Sequence, residues 1–168
     1  VNFEVRPDPN YNTSIADIEA QTKFLLQVRD KFNEVQNAVK QIREIRNQLN
    51  TVTSKLGEAC PKPMKDTAAY IIKKITAIEG ELYQTKAKAF QDVLNYPIKL
   101  NDKLAFVYNT ASAGVSAPSR QARDVFTELS ERADMYLYQL KLIVDTDLKT
   151  FNTLARNADV PVILLNKE

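Results

Sequence analysis

The sequence predicts an all-α fold, an elongated antiparallel three-helix bundle, and three observations predict it. The first is a heptad pattern. Val28, Val35, Ile42, Leu49 and Leu56 follow one another seven apart, and Ile18, Leu25, Phe32 and Val39 form a second row offset by three. Two interleaved rows of this kind form the seam of a helix that lies along other helices for its whole length. The second observation is composition. Gly57, Gly80 and Gly114 are the only glycines, too few for the tight turns of an all-β fold. The third is that two more stretches carry seams of similar length. At 1.5 Å per residue, the three columns would each span roughly 60–70 Å. The alternative is a four-helix up-down bundle in which Ile98–Ser112 folds back.

Residues 1–13 read as a remnant strand and linker from a preceding domain. Phe3 and Val5 alternate with polar neighbours, and Arg6-Pro7-Asp8-Pro9 forbids helix. The chain opens on Val1-Asn2-Phe3 without an initiator Met and is expected to be a segment of a longer protein. The bundle itself is expected over residues 14–158. Ser14 is the N-cap of the first helix, with Asp17 three residues on as its capping-box partner. Beyond Val39, Ile45 and Val52 take over from the positions of Arg46 and Thr53. A straight helix of 3.6 residues per turn drifts in this way past a seven-residue repeat. Gly57 is the expected C-cap, and Pro61 and Pro63 prevent continuation.

The second helix is expected from about Pro63 to Leu94, with Met64, Ala68, Ile71, Ile75, Ile78, Leu82, Thr85 and Ala89 as its seam. The stripe continues in phase through Val93, Tyr96, Leu100, Leu104, Val107 and Ala111. A second column kinked or broken at Pro97 and running to about Ser112 follows from that phase. Ala113–Ser119 is the next turn, and Ser116 or Ser119 caps the last helix, which runs to about Asn157. Its seam is Ala122, Phe126, Leu129, Ala133, Tyr136, Leu140 and Ile143. It then shifts to Val144, Leu148, Phe151 and Ala155. Residues 159–168 form an apolar, strand-like tail.

Chemistry is mostly excluded by residue type. The chain has no histidine, which removes His-based triads, His metal ligands and the commonest general base. A single cysteine, Cys60, rules out cysteine-rich metal sites and an internal disulfide. Cys60 reads as an unreactive loop thiol. No glycine-rich phosphate loop is present, and no cofactor is expected. Glu79 and Glu81, and Asp145 and Asp147, are two apart on helices and point in divergent directions. Glu128 and Glu131 share a face with Arg132 and read as a solvated ion-pair surface. The net charge is +2 with the signs mixed along every helix, so nucleic acid is not an expected partner. No apolar run approaches the roughly 20 residues of a transmembrane helix.

Arg43 and Arg46 read as exposed or snorkelling charges beside the seam. Asn12-Thr13-Ser14 is an N-glycosylation sequon, relevant only to a eukaryotic secretory route. Tyr70, Tyr83, Tyr138 and Phe106 are the candidate interaction surface, because aromatic residues are favoured at interfaces. Ile45, Ile72, Phe106 and Val125 are surplus apolar residues off the seam, and they raise the prospect of self-association through a second chain.

Several phrases resemble a known region. They are Phe3-Glu4-Val5-Arg6-Pro7-Asp8-Pro9, Asp17-Ile18-Glu19-Ala20-Gln21, and Phe24-Leu25-Leu26-Gln27-Val28-Arg29-Asp30-Lys31-Phe32-Asn33-Glu34. Ala38-Val39-Lys40-Gln41-Ile42-Arg43, Tyr96-Pro97-Ile98-Lys99-Leu100-Asn101-Asp102-Lys103-Leu104 and Asp145-Thr146-Asp147-Leu148-Lys149-Thr150-Phe151-Asn152 continue the series. Together they resemble the C-terminal helical region of exported bacterial proteins with sortilin-like, BNR-type β-propellers, often labelled glycosyl hydrolases. The resemblance implies export to the periplasm, the cell surface or the medium. It also implies upstream β-propeller or Ig-like domains in the same chain, which would carry any glycan chemistry. No catalytic residue is carried over. The expected function is a non-catalytic spacer, docking or assembly module. The alternatives are a self-associating coiled-coil element, an accessory part of a glycosyl hydrolase, and carbohydrate or peptide binding along Tyr70, Tyr83 and Tyr138.

Overall fold

The computed structural model describes residues 2–4, 6, 8–10, 12–158 and 160. It is all-α: among the described residues there is no strand, and no helix is long and apolar enough to cross a membrane. The helices are α1 (Ile15–Leu56), α2 (Lys62–Leu82), α3 (Leu100–Ser112), α4 (Arg120–Leu142) and α5 (Leu148–Asn157). A π-helical turn, Ile143–Asp147, joins α4 to α5 without a break. Of the expected remnant strand, Phe3 is exposed and in no strand here, and Val5 lies outside the described residues. Of the tail, only Val160 is described. It packs against the core and donates its N–H to Ala155 O at 3.2 Å.

The ends of α1 form as the residues require. Ser14 Oγ accepts from the Asp17 N–H at 3.1 Å, while the Asp17 carboxylate accepts from the Ser14 N–H at 3.3 Å, closing the capping box. At the other end Gly57 adopts φ 51°, a backbone that disfavours a Cβ, and its N–H caps the carbonyls of Thr53 and Ser54. Ser119, rather than Ser116, caps α4 by accepting from the Ala122 N–H at 3.1 Å.

The core is one cluster. Val28, Val35, Val39, Ile42 and Leu49 of α1 meet Met64, Ala68, Ile71, Ile75, Ile78 and Leu82 of α2, with Leu100, Leu104 and Val107 of α3. From α4, the π-turn and α5 come Leu129, Ala133, Leu140, Ile143 and Phe151. A buried Leu or Ile is worth about 1.5–3 kcal/mol, against about 1 kcal/mol for a cap. Burial therefore holds the helices together, and the caps set where they begin and end. The α1 face is broader than two heptad rows. Gln21, Phe24 and Ala38 are buried, whereas Ile18, Leu25 and Phe32 are half-buried. Phe24 meets Phe126 of α4 edge to face at 5.4 Å.

α1 packs against α2 and α3, and α4 packs against α3, α2 and α1. Near the N-terminus of α1, Gln21 Nε2 donates to Ala111 O (2.7 Å) and Gly114 O (2.5 Å), and Thr13 Oγ1 donates to Val115 O (2.5 Å). Farther along α1, Lys31 pairs with Asp134 of α4 at 2.7 Å, and Arg43 and Arg46 reach Glu79 of α2. Beyond the π-turn, α5 lies against α2, where Lys74 pairs with Asp147 at 2.7 Å.

One expectation is corrected here. α2 ends at Leu82, not Leu94, and the interruption covers Tyr83–Lys99 rather than Pro97 alone. Within it Phe90–Leu94 make one 3₁₀ turn, capped by Asp92, which accepts from the Lys88 and Ala89 N–H groups. Thr85, Ala89, Val93 and Tyr96, assigned to the seam by phase, are exposed. The reason is length. Glu79 meets α1 at Arg43, and Ala105 and Tyr108 face Val28 and Phe32 across a groove. Roughly 16 Å of helix separates Arg43 from Phe32, but a continuous helix from Glu79 to Ala105 would need roughly 39 Å. The surplus chain is extruded as a loop. Gln84 Nε2 donating to Pro97 O and a Lys99–Glu81 pair at 3.3 Å close its neck.

Candidate functional site

Two places concentrate side-chain chemistry. The first is a buried carboxylate. Glu79 projects from the last turns of α2 toward α1, where Arg43 Nε donates to its Oε1 at 2.7 Å and Arg46 Nη2 donates to its Oε2 at 2.5 Å. Arg46 also donates to Thr76 Oγ1 at 3.2 Å, and the Arg43 guanidinium stacks over the Tyr83 ring at 4.8 Å. Burial pushes the Glu79 carboxyl up, and the hydrogen bonds and charges of the two arginines outweigh it and hold the group below its ordinary value. The hydrogen bond from Arg43 to Glu79 holds the guanidinium above its ordinary value, against partial desolvation. With both oxygens occupied and the group ionised, the arrangement is an inter-helix clamp and is unsuited to proton transfer. Glu81, two residues on, turns away to Lys99, as the spacing requires.

The second place is an open groove of about 470 Å³ between α2 and α4. Lys74, Ala77, Ile78 and Glu81 line one side; Tyr136, Gln139, Leu142 and Ile143 line the other. Its walls are mainly apolar. The π-turn begins at its edge with Ile143, and the turn's Asp147 holds Lys74 at 2.7 Å. Hydrogen bonding to Asp147 raises the Lys74 ammonium above its ordinary pKa, against a small desolvation effect. The ammonium also lies 4.8 Å from the centre of the Tyr70 ring. On α4, Met135, Tyr138 and Leu142 follow at i, i+3 and i+7 and are 49%, 62% and 44% exposed, an apolar stripe with no partner among the described residues.

The four aromatic residues singled out in the sequence do not form one surface. Tyr70 and Tyr138 are exposed, Tyr70 over Lys74 of the groove and Tyr138 beside Leu142 on α4. Tyr83 is half-buried against Arg43, turned to α1, and Phe106 is exposed on α3. Of the four apolar residues taken as surplus, Ile45 and Ile72 pack against the core, while Phe106 and Val125 are exposed. Arg43 and Arg46, expected as snorkelling charges, instead converge on Glu79. The available signal was Glu79 itself, an acid one residue from the seam residue Ile78. Cys60 is buried in the core cluster.

A smaller groove between α1 and α3, lined by Val28, Arg29, Phe32, Asn33, Ala105, Tyr108 and Asn109, has a volume of about 270 Å³. Asn101, on the same face of α3 as Ala105 and Tyr108, is buried with its Oδ1 unpaired by any described protein group. No group of three or more acidic or Cys residues among the described residues is placed to hold a metal ion. Comparison of the chain with family models, with curated proteins and with solved structures finds no match in any of the three.

Proposed function

We propose that this chain is a non-catalytic helical module that acts as a spacer, docking surface or assembly element. The observation that carries the docking role is the apolar groove between α2 and α4 with the exposed stripe Met135, Tyr138 and Leu142. Elsewhere the exterior carries ion pairs such as Arg29–Asp30, Lys62–Asp66 and Lys141–Asp145, with exposed apolar residues such as Phe106 on α3 and Val125 on α4 between them. Placement at the C-terminal end of an exported sortilin-like β-propeller protein rests on the phrases from Phe3-Glu4-Val5-Arg6-Pro7-Asp8-Pro9 to Asp145–Asn152. In that reading the chemistry belongs to upstream domains.

The architecture proposed for the module is three antiparallel columns. α1 forms one, α2 and α3 share the second, and α4, the π-turn and α5 form the third. The heights at which Gln21 meets Ala111, Lys31 meets Asp134 and Arg43 meets Glu79 support this order. Amide NMR spectra of this chain alone and joined to the upstream part of its parent test the docking role. Shifts clustered at Ala77, Tyr138 and Leu142 are expected. Unchanged amides along the whole groove would remove docking onto the upstream part.

The same exposed stripe favours a second reading, self-association through the face of α4. Sedimentation separates the two: a monomer at tens of micromolar eliminates self-association. A Leu142→Asp variant should lower the association constant if α4 is the contact.

A further inference from the structure

We draw no further inference here: the strongest candidate, the apolar groove between α2 and α4 with its rim of Met135, Tyr138 and Leu142, belongs to the surface already described, and nothing in the structure shows what covers it.

Discussion

Glu79 offers the sharpest test of how α1 and α2 are held in register. Replacing it with alanine removes two charge-assisted hydrogen bonds from arginines on α1. Breaking a fully buried ion pair from one side costs about 3–5 kcal/mol, because the partner is left charged and dry. Here the carboxylate side chain is 4% exposed, but Arg43 is 48% and Arg46 24% exposed, so both guanidiniums can turn to water. The expected loss for Glu79→Ala therefore falls to about 2 kcal/mol, which includes a small packing defect. For a chain of this size that corresponds to a fall in Tm of about 4–8 °C. Glu79→Gln keeps the shape and part of the hydrogen bonding and should cost about 1 kcal/mol. Glu79→Leu, an apolar group of similar volume, should lie within about 1 kcal/mol of the parent.

Urea unfolding followed by far-UV circular dichroism reads all three variants. The pH dependence carries a sign. The folded-state pKa of Glu79 lies below its ordinary 4.5, so its contribution is fully present above that value. It is lost as the pH falls through the folded pKa. The parent should therefore lose more stability than Glu79→Gln as the pH drops below about 4.5. A Glu79→Gln protein with the parent's urea midpoint and the parent's acid sensitivity would refute the clamp.

Four further outcomes are expected. Deleting Thr146 from the π-turn should leave a folded protein with nearly the parental Tm by calorimetry, whereas deleting Arg132 from the α-helical part should not. The π-turn absorbs one extra residue, and Thr146 is exposed. Gln21→Ala strips two carbonyls of their shared donor at the end of α3. It should cost about 1–2 kcal/mol in urea unfolding and speed amide exchange around residues 111–116. Ile75→Ala, at a fully buried position on α2, should cost about 2–5 kcal/mol in the same assay. Limited proteolysis should cut first between residues 84 and 98, where the backbone is extruded and the side chains are largely exposed; first cleavage inside α1 would contradict that placement.

Much of the secondary structure was legible because its causes are local. The Ser14–Asp17 box, the Gly57 cap, Pro63 in the first turn of α2 and the Ser119 cap act within a few residues of themselves. The one-residue slip from Ile143 to Val144 in the last seam was legible as well, but not the π-turn that absorbs it. A phase slip can be absorbed by a kink, a break or a π-turn, and packing against α2 selects among them. The buried face of α1 is broader than its two heptad rows: α1 packs against α2, α3 and α4, so Gln21, Phe24 and Ala38 are buried as well.

By itself, the sequence determined the helical class, both ends of α1, the starts of α2 and α4 and most of the apolar faces, since periodicity and capping depend only on near neighbours. Tertiary structure decided which residues between Leu82 and Leu100 stay helical. Phase was continuous there, but α1 leaves too short an interval between its contacts with Glu79 and with Ala105. It likewise decided that Arg43, Arg46 and Glu79 meet, because charge pairing across helices depends on their relative height, which no local pattern encodes. The groove between α2 and α4 belongs to the same class. Ala77 and Leu142 are 65 positions apart in the chain, and only the packing of their helices makes them walls of one surface.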